Sequence, residues 1–257
     1  MLAIIKLSVN TSGGTKVYWD LINETIITND PLNFSLYSSQ DFNNWNLITT
    51  VTNTFFATDP NEYKLGSFDF LWYKIKLTYG TKSIESAPVS IQQSYGNFIK
   101  FRLWNEISRK YRLYGRHIAL KGVIYRRKRF GNPCPLDADP LAKMPQRALC
   151  PQCFGTGIDG GYFVGDQVAY FFHQPVDTSE LITEIGRVSP QKMQGLLYSD
   201  TPYAPNDLFR NLETGEIWEI EFIKQLGMAS ALLPVNIVAC SEKPRNHILY
   251  KLPVPNI

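Results

Sequence analysis

Apolar and polar positions alternate with a period of two along most of this chain, and that period changes once. Up to residue 93 the runs LAIIKLSV, KVYWDLI, NFSLYSS, WNLITTVTNTFFAT, FLWYKIKLTYG and SIESAPVSIQ are rich in Val, Ile, Thr, Tyr and Phe. Turn-rich segments such as Asn10-Thr-Ser-Gly-Gly14 and DPNEYKLGS separate them. Such runs predict half-buried antiparallel strands. Within FLWYKIKLTYG, Tyr73, Ile75 and Leu77 share one face, with Trp72, Lys74 and Lys76 on the other. About seven short strands in so short a stretch predict a two-sheet β-sandwich over residues 1–93.

This stretch resembles a fibronectin type III domain. The carriers are Trp19 in the second strand, Tyr73-x-Ile75-x-Leu77 in the penultimate strand, and the closing SIESAPVSI. The resemblance implies a core role for the Trp, with the Tyr lying across it. Such a module is a spacer or an adhesive surface, and no catalytic constellation falls within it.

From Asn97 to about Leu120 the period becomes helical. Phe101, Trp104, Ile107, Tyr111, Tyr114 and Ile118 recur at spacings of three and four, predicting one buried face of an amphipathic helix that links two domains over 94–122. Arg102, Arg109 and Arg116 recur at spacing seven and stack along a second face, widened by Lys100, Lys110 and Arg112. Gly115 interrupts the run and weakens the expectation of a continuous helix. Beyond Gly161 the pattern is again all-β: YFVGDQVAYFFHQP, ELITEIGRVS, MQGLLYSD, DLFRNLETGEIWEIEFIKQLG, LLPVNIVACSEKP and ILYKLPV. In the hairpin around Glu213-Thr-Gly215, the apolar anchors are Ile217, Ile220 and Phe222. The intervening Glu216, Glu219 and Glu221 read as a solvated strand edge. The fold class is therefore mainly β, with residues 123–257 as a second domain carrying a long cysteine-containing insertion, 125–163.

Charge sharpens this picture. The formal net charge is only +3. Residues 97–147 nevertheless carry 13 Lys/Arg against 3 Asp/Glu, a net +10, between a −2 block (6 against 8) and a −5 block (7 against 12). The basic helix face and the arm Arg126-Arg127-Lys128-Arg129 are candidate contacts for an acidic partner surface or for DNA phosphates. No base-reading motif accompanies them. No run approaches the length of a membrane-spanning helix. The start MLAIIKLSVNTSGG has neither basic n-region nor small-residue cleavage site, so a signal peptide is not expected. Four cysteines in 257 residues are too few for a disulfide scaffold, and synthesis in a reducing cytoplasm is expected.

Three of those cysteines cluster. The skeleton is Cys134-Pro-Leu-Asp137, a twelve-residue insert, then Cys150-Pro-Gln-Cys153-Phe-Gly-Thr-Gly157. Paired Cys-x-x-Cys knuckles hold tetrahedral zinc because each tight turn supplies two thiolates. Here Asp137 stands where the fourth thiolate would be, so the candidate ligands are Cys134, Asp137, Cys150 and Cys153. The spacing leaves open two alternatives: a metal-free turn of packed thiols, or pairing of Cys134 with one of the other two. The string Cys-Pro-x-Cys-x-Gly-x-Gly also resembles the zinc repeats of DnaJ-type chaperones, which occur in fours, whereas one copy exists here. His117, His173 and His247 are not at motif spacing, and Cys240 in VNIVAC reads as core. No cofactor other than zinc is expected.

The strings Tyr203-Ala-Pro-x-Asp207-Leu, the hairpin to Trp218, and HILYKLPVP are similar to head-to-tail connector (neck) proteins of tailed bacteriophages. The block YRRKRFGNPCP…CPQCFGTG is similar to a cysteine-knuckle block in phage virion proteins encoded near the portal. The resemblance covers roughly residues 97–257. It implies a Pro-x-Asp-Leu turn before a strand pair, a small C-terminal β-barrel, and no enzymatic activity. It further implies a homo-oligomeric ring, hexameric or dodecameric, below the portal in the virion neck. Expected partners are portal and tail or adaptor proteins, a fibre or collar protein on the sandwich, and passing genomic DNA without sequence specificity; no membrane is expected. The alternatives are a nucleic-acid-binding module beside a degraded zinc knuckle, and a baseplate or fibre-attachment protein. A carbohydrate-active enzyme lacks a convincing acid pair.

Overall fold

The computed structural model describes residues 4–10, 15–22, 25–60, 71–90, 98–137, 150–174, 192–228 and 231–255. Nine strands come first: β1 (Ile4–Asn10), β2 (Thr15–Ile22), β3 (Ile26–Ile27), β4 (Asn33–Ser39), β5 (Asn46–Thr52), β6 (Phe56–Asp59), β7 (Trp72–Tyr79), β8 (Lys82–Glu85) and β9 (Val89–Ser90). Helix α1 (Phe98–Ile118) follows. Then come β10 (Leu120–Arg127), β11 (Phe130–Gly131), β12 (Tyr162–Gln174), β13 (Lys192–Tyr198), β14 (Leu208–Asn211), β15 (Ile217–Met228) and β16 (Ala231–Glu242). The chain is thus mainly β. The expected strand ELITEIGRVS lies outside the described residues. Among the described residues, no helix is long and apolar enough to cross a membrane.

Two compact units form, each from separated stretches: Met1–Leu103 with Lys128–Phe163, and Trp104–Arg127 with Val164–Ile257. The sequence pattern kept residues 123–257 together, whereas the cysteine-bearing excursion 128–163 belongs with the N-terminal strands. The reason is aromatic burial. Phe130 is 2% exposed within the N-terminal core, and Phe163 packs against the same core. Strand β11 pairs in parallel with β3, Phe130 opposite Ile26.

In the first unit, β1-β2-β6 form one antiparallel sheet and β5-β4-β7-β8 another, with β9 also paired to β7. Alternation works as the sequence predicts. Tyr73, Ile75 and Leu77 are fully buried while their neighbours in β7 are half-exposed. Both sheets feed one core containing Trp19, Phe34 and Tyr73. Its polar atoms are satisfied: the Trp19 indole donates to Thr54 O at 2.9 Å, and the Tyr73 hydroxyl to Asp59 Oδ2 at 2.8 Å.

The second unit is a closed barrel of order β10-β12-β13-β16-β15-β14. Its interior includes Ile124, Phe171, Leu197, Phe209, Ile220 and Cys240, the last as core, as expected. Three expectations are corrected here. First, α1 runs unbroken through Gly115. A Cβ there would lie 2.4 Å from Tyr170 Cγ, so glycine permits a close approach rather than interrupting the helix. The packed face carries Ser108 (1% exposed), Tyr111 and Gly115, whereas Tyr114 and Ile118, expected inside, are 56% and 74% exposed. The side chain of Phe101 lies outside the described residues. Second, Phe222 is 56% exposed, because the β15–β16 register shifts between Ile220 and Phe222 and turns it out of the barrel. Third, ILYKLPV is a 3₁₀ turn (Ile248–Lys251), not a strand. His247 caps it, and Pro253 just beyond has no N–H to offer a ladder.

Candidate functional site

The described stretches 128–137 and 150–163 are held together by main-chain bonds. Pro133 and Ile158 form an isolated bridge, Cys134 N donates to Gly157 O at 3.0 Å, and Asp159 N to Asn132 O at 2.9 Å. The second knuckle closes through Phe154 N to Cys150 O (2.9 Å) and Thr156 N to Cys153 O (3.0 Å). Its glycines permit the tight path. Gly155 and Gly157 take positive φ (79° and 77°), which lets the chain turn twice within one motif. Gly161 is required by space as well: a Cβ would sit 2.5 Å from Cys153 O.

These turns bring the candidate ligands together. The Sγ atoms of Cys134, Cys150 and Cys153 all lie within 4.8 Å of one another, close enough to share one metal ion. Cys134 Sγ and Cys150 Sγ are 3.7 Å apart, and all three thiols are free. Asp137, 4% exposed, joins them, its Oδ2 accepting from Cys153 Sγ at 3.2 Å. The three thiols therefore form one buried cluster, and Asp137 is joined to it through Cys153.

Main-chain N–H groups converge on the sulfurs. Cys134 accepts from Leu136, Cys150 from Gln152 and Cys153, and Cys153 from Gly155 and Gly157. Burial pushes the Cys153 thiol up to about 12, with the Asp137 carboxylate adding to the rise against its two N–H donors. Burial also raises Cys134. At Cys150 burial acts the same way, but the N–H groups of Cys153 and Gln152 outweigh it and hold that thiol below its ordinary value. The sequence marks the candidate ligands but not these donors. Their only trace in sequence is the regular spacing of residues between and after the cysteines.

The basic candidates divide. Arg109 and Arg116 are exposed on α1, and Arg127 is exposed at the end of β10; the side chain of Arg102 lies outside the described residues. Arg126 is 7% exposed. Lys128 donates to Asp159 O at 2.7 Å and lies 5.1 Å over the Phe163 ring, and burial lowers its pKa. Arg129 donates to Leu21 O at 3.4 Å. Arg126, Lys128 and Arg129 are thus built into the fold rather than presented outward.

Several other chemistry-bearing groups are committed locally. Glu216 pairs with Arg245 at 3.5 Å and Glu219 with Lys243. His117 and His173 are exposed, and His247 Nδ1 accepts from Leu249 N at 3.3 Å. A cleft of about 680 Å³ beside Ser38, Asp41, Asn44 and Leu71 has its one carboxylate spent on the loop itself. Asp41 accepts from the Asn44 main chain and side chain, from Asn43 N and from Ser39, which hold it at about 2. Half-buried Arg112 donates to the Tyr198 hydroxyl at 2.7 Å and to Asp200 at 3.2 Å, a network that ties α1 to its own unit. Among the described residues, the cysteine cluster is the group of side chains close enough to hold a metal ion. No protein-family model matches this chain, and no curated protein matches it either.

Proposed function

We propose that this chain is a structural virion protein of a tailed phage, a ring subunit in the neck between portal and tail. The observation that carries the reading is the turn Tyr203–Leu208. Asp207 accepts from Ala204 N and Arg127 N, both at 2.8 Å, while Ile220 N donates to Asp207 O at 2.9 Å. A Pro-x-Asp-Leu turn feeding a strand pair of a small closed barrel is the arrangement that the connector resemblance implies.

The finer fold reading belongs to the same proposal. The first unit is a fibronectin type III-like sandwich that serves as a docking module for a fibre or collar. Buried Trp19 and Tyr73 and two antiparallel sheets around one core support it. The protein is read as non-enzymatic: Glu216 and Glu219 of the β15 hairpin are ion-paired and His247 serves as a cap. A closed ring makes heterologous contacts between unlike faces, for which the exposed Arg109, Arg116 and Ile118 of α1 are available.

The test is to image intact particles and, separately, to add the full chain to a candidate portal ring under native mass spectrometry. Barrel density between portal and tail, with a fixed number of chains per portal, is the expected result. Location in the baseplate would establish the fibre-attachment alternative instead. Duplex DNA affinity at about 50 mM salt that falls steeply with added salt would favour the nucleic-acid module.

A further inference from the structure

We infer that Cys134, Cys150, Cys153 and Asp137 bind one Zn²⁺ ion in a closed tetrahedral site of three thiolates and one carboxylate. The inference is independent of the neck assignment. It begins from distance. A disulfide needs its sulfurs at about 2.05 Å. A tetrahedral ion with Zn–S near 2.3 Å separates two sulfurs by about 3.8 Å, and sulfur from a carboxylate oxygen by about 3.5 Å. The observed separations are 3.7 Å for Cys134–Cys150 and 3.2 Å for Cys153–Asp137; the three sulfurs lie within 4.8 Å of one another, and the Asp137 carboxylate approaches them from the Cys153 side.

Two packed thiols would also touch near 3.7 Å, but here a third buried sulfur joins them, all three Sγ atoms lying within 4.8 Å of one another. The main-chain N–H groups of Leu136, Gln152, Cys153, Gly155 and Gly157 also favour the charged form of these sulfurs. A neutral thiol is a weak acceptor, and a thiolate is a strong one. N–H groups directed at ligating sulfur are the outer shell that steadies thiolates around a metal. The left-handed conformation of Phe154 (φ 53°), unfavourable for a residue with a Cβ, fits a turn whose geometry is imposed from the ligand side.

Four protein ligands leave no open position, so the ion is structural rather than catalytic. It ties residues 134–137 to 150–153 across the twelve residues between them. It thereby braces the excursion whose Phe130 and Phe163 enter the first unit's core. Zinc fits the donor set because it accepts thiolate and carboxylate together and imposes no geometry of its own. Binding replaces the thiol protons, which leave to solvent, and changes no oxidation state.

The full chain, purified without a chelating tag and under reducing conditions, should contain one zinc per chain by elemental analysis. Replacement by Co²⁺ should give sulfur-to-metal charge-transfer absorption together with tetrahedral ligand-field bands. Asp137→Ala should weaken binding by at least about 10–100-fold, the loss typical even of outer-shell groups. Asp137→Cys should keep the ion and raise the charge-transfer absorption by one thiolate's share. Cys150→Ser is informative only if it folds, and the two Asp137 variants keep the test decisive without it. Less than about 0.2 metal per chain, with no cobalt spectrum, would overturn the site. So would an intact mass lighter by two hydrogens, the mark of a Cys–Cys bond. An unchanged affinity in Asp137→Ala would remove the carboxylate from the ligand set.

Discussion

The Phe130 ring lies 5.0 Å from that of Phe34, tilted by 54°, with Phe163 5.3 Å away on Phe130's other contact. Phe34 belongs to β4 and is fully buried, so two residues flanking the cysteine loop complete the core of strands laid down a hundred residues earlier. Phe130→Ala should therefore destabilise the first unit by about 3–5 kcal/mol, the usual cost of emptying a buried aromatic site. Hydrogen exchange read strand by strand checks this: β4 and β7 should lose protection while the barrel strands keep theirs. Equal loss in both units, or none in β4, would contradict the assignment of residues 128–163 to the first unit.

Gly115 and Tyr170 make the second prediction. An alanine in mid-helix normally gains about 1 kcal/mol over glycine. Here the added Cβ would sit 2.4 Å from Tyr170 Cγ and 2.5 Å from Cδ1. Gly115→Ala should instead cost about 1–3 kcal/mol, as overpacking does. In a Tyr170→Ala background the penalty should shrink, and a double-mutant cycle by urea denaturation measures that coupling. A stabilised Gly115→Ala would mean the helix stands off the barrel.

How far the sequence reaches is clear from these residues. Tyr73, Ile75 and Leu77 were legible because a strand's period is local. The convergence of Cys150 and Cys153 was legible because Cys-x-x-Cys-x-Gly-x-Gly turns its own backbone, and Cys134 meets them across the insert. Gly115 looked like an interruption, since nothing near it in the chain announces Tyr170. Phe222 looked like an inward anchor, since a bulge shifts the register without a residue to mark it. Phe130 stands between charged and glycine-rich neighbours with no period at all, so its burial against Phe34 could not be read. Arg126 looked exposed as part of a basic run, but it continues β10, where five consecutive residues from Gly122 are buried.

Acid sensitivity follows from His247. Its Nδ1 accepts from Leu249 N as the cap of the closing 3₁₀ turn, which requires an unprotonated nitrogen. Burial, with Lys243 nearby, lowers its pKa against the pull of Glu219. The unfolded chain therefore binds more protons than the folded one near the ordinary histidine value of 6.5. This contribution to stability is present above that value and is lost as the pH falls through the lowered pKa. Melting temperature should drop across that window in the wild type, and His247→Asn, an uncharged cap, should flatten the drop. An identical profile in the variant would show that the cap does not sense pH.

Asp207 carries the last prediction. It is 4% exposed, and its two oxygens divide the work: Oδ1 takes Arg127 N at the end of β10, and Oδ2 takes Ala204 N within the turn. Removing the carboxylate leaves two part-buried N–H groups without their acceptor, so Asp207→Ala should cost roughly 1–3 kcal/mol. Asp207→Asn separates geometry from charge. Its single carbonyl can serve one N–H, but its amide presents a donor to the other, so roughly half of that loss should return. Serine is too short to span both donors and should behave like alanine. Denaturation midpoints of the three variants give the ranking directly. If Asn matches wild type, one of the two bonds contributes nothing to holding the β10 end against the β14–β15 hairpin.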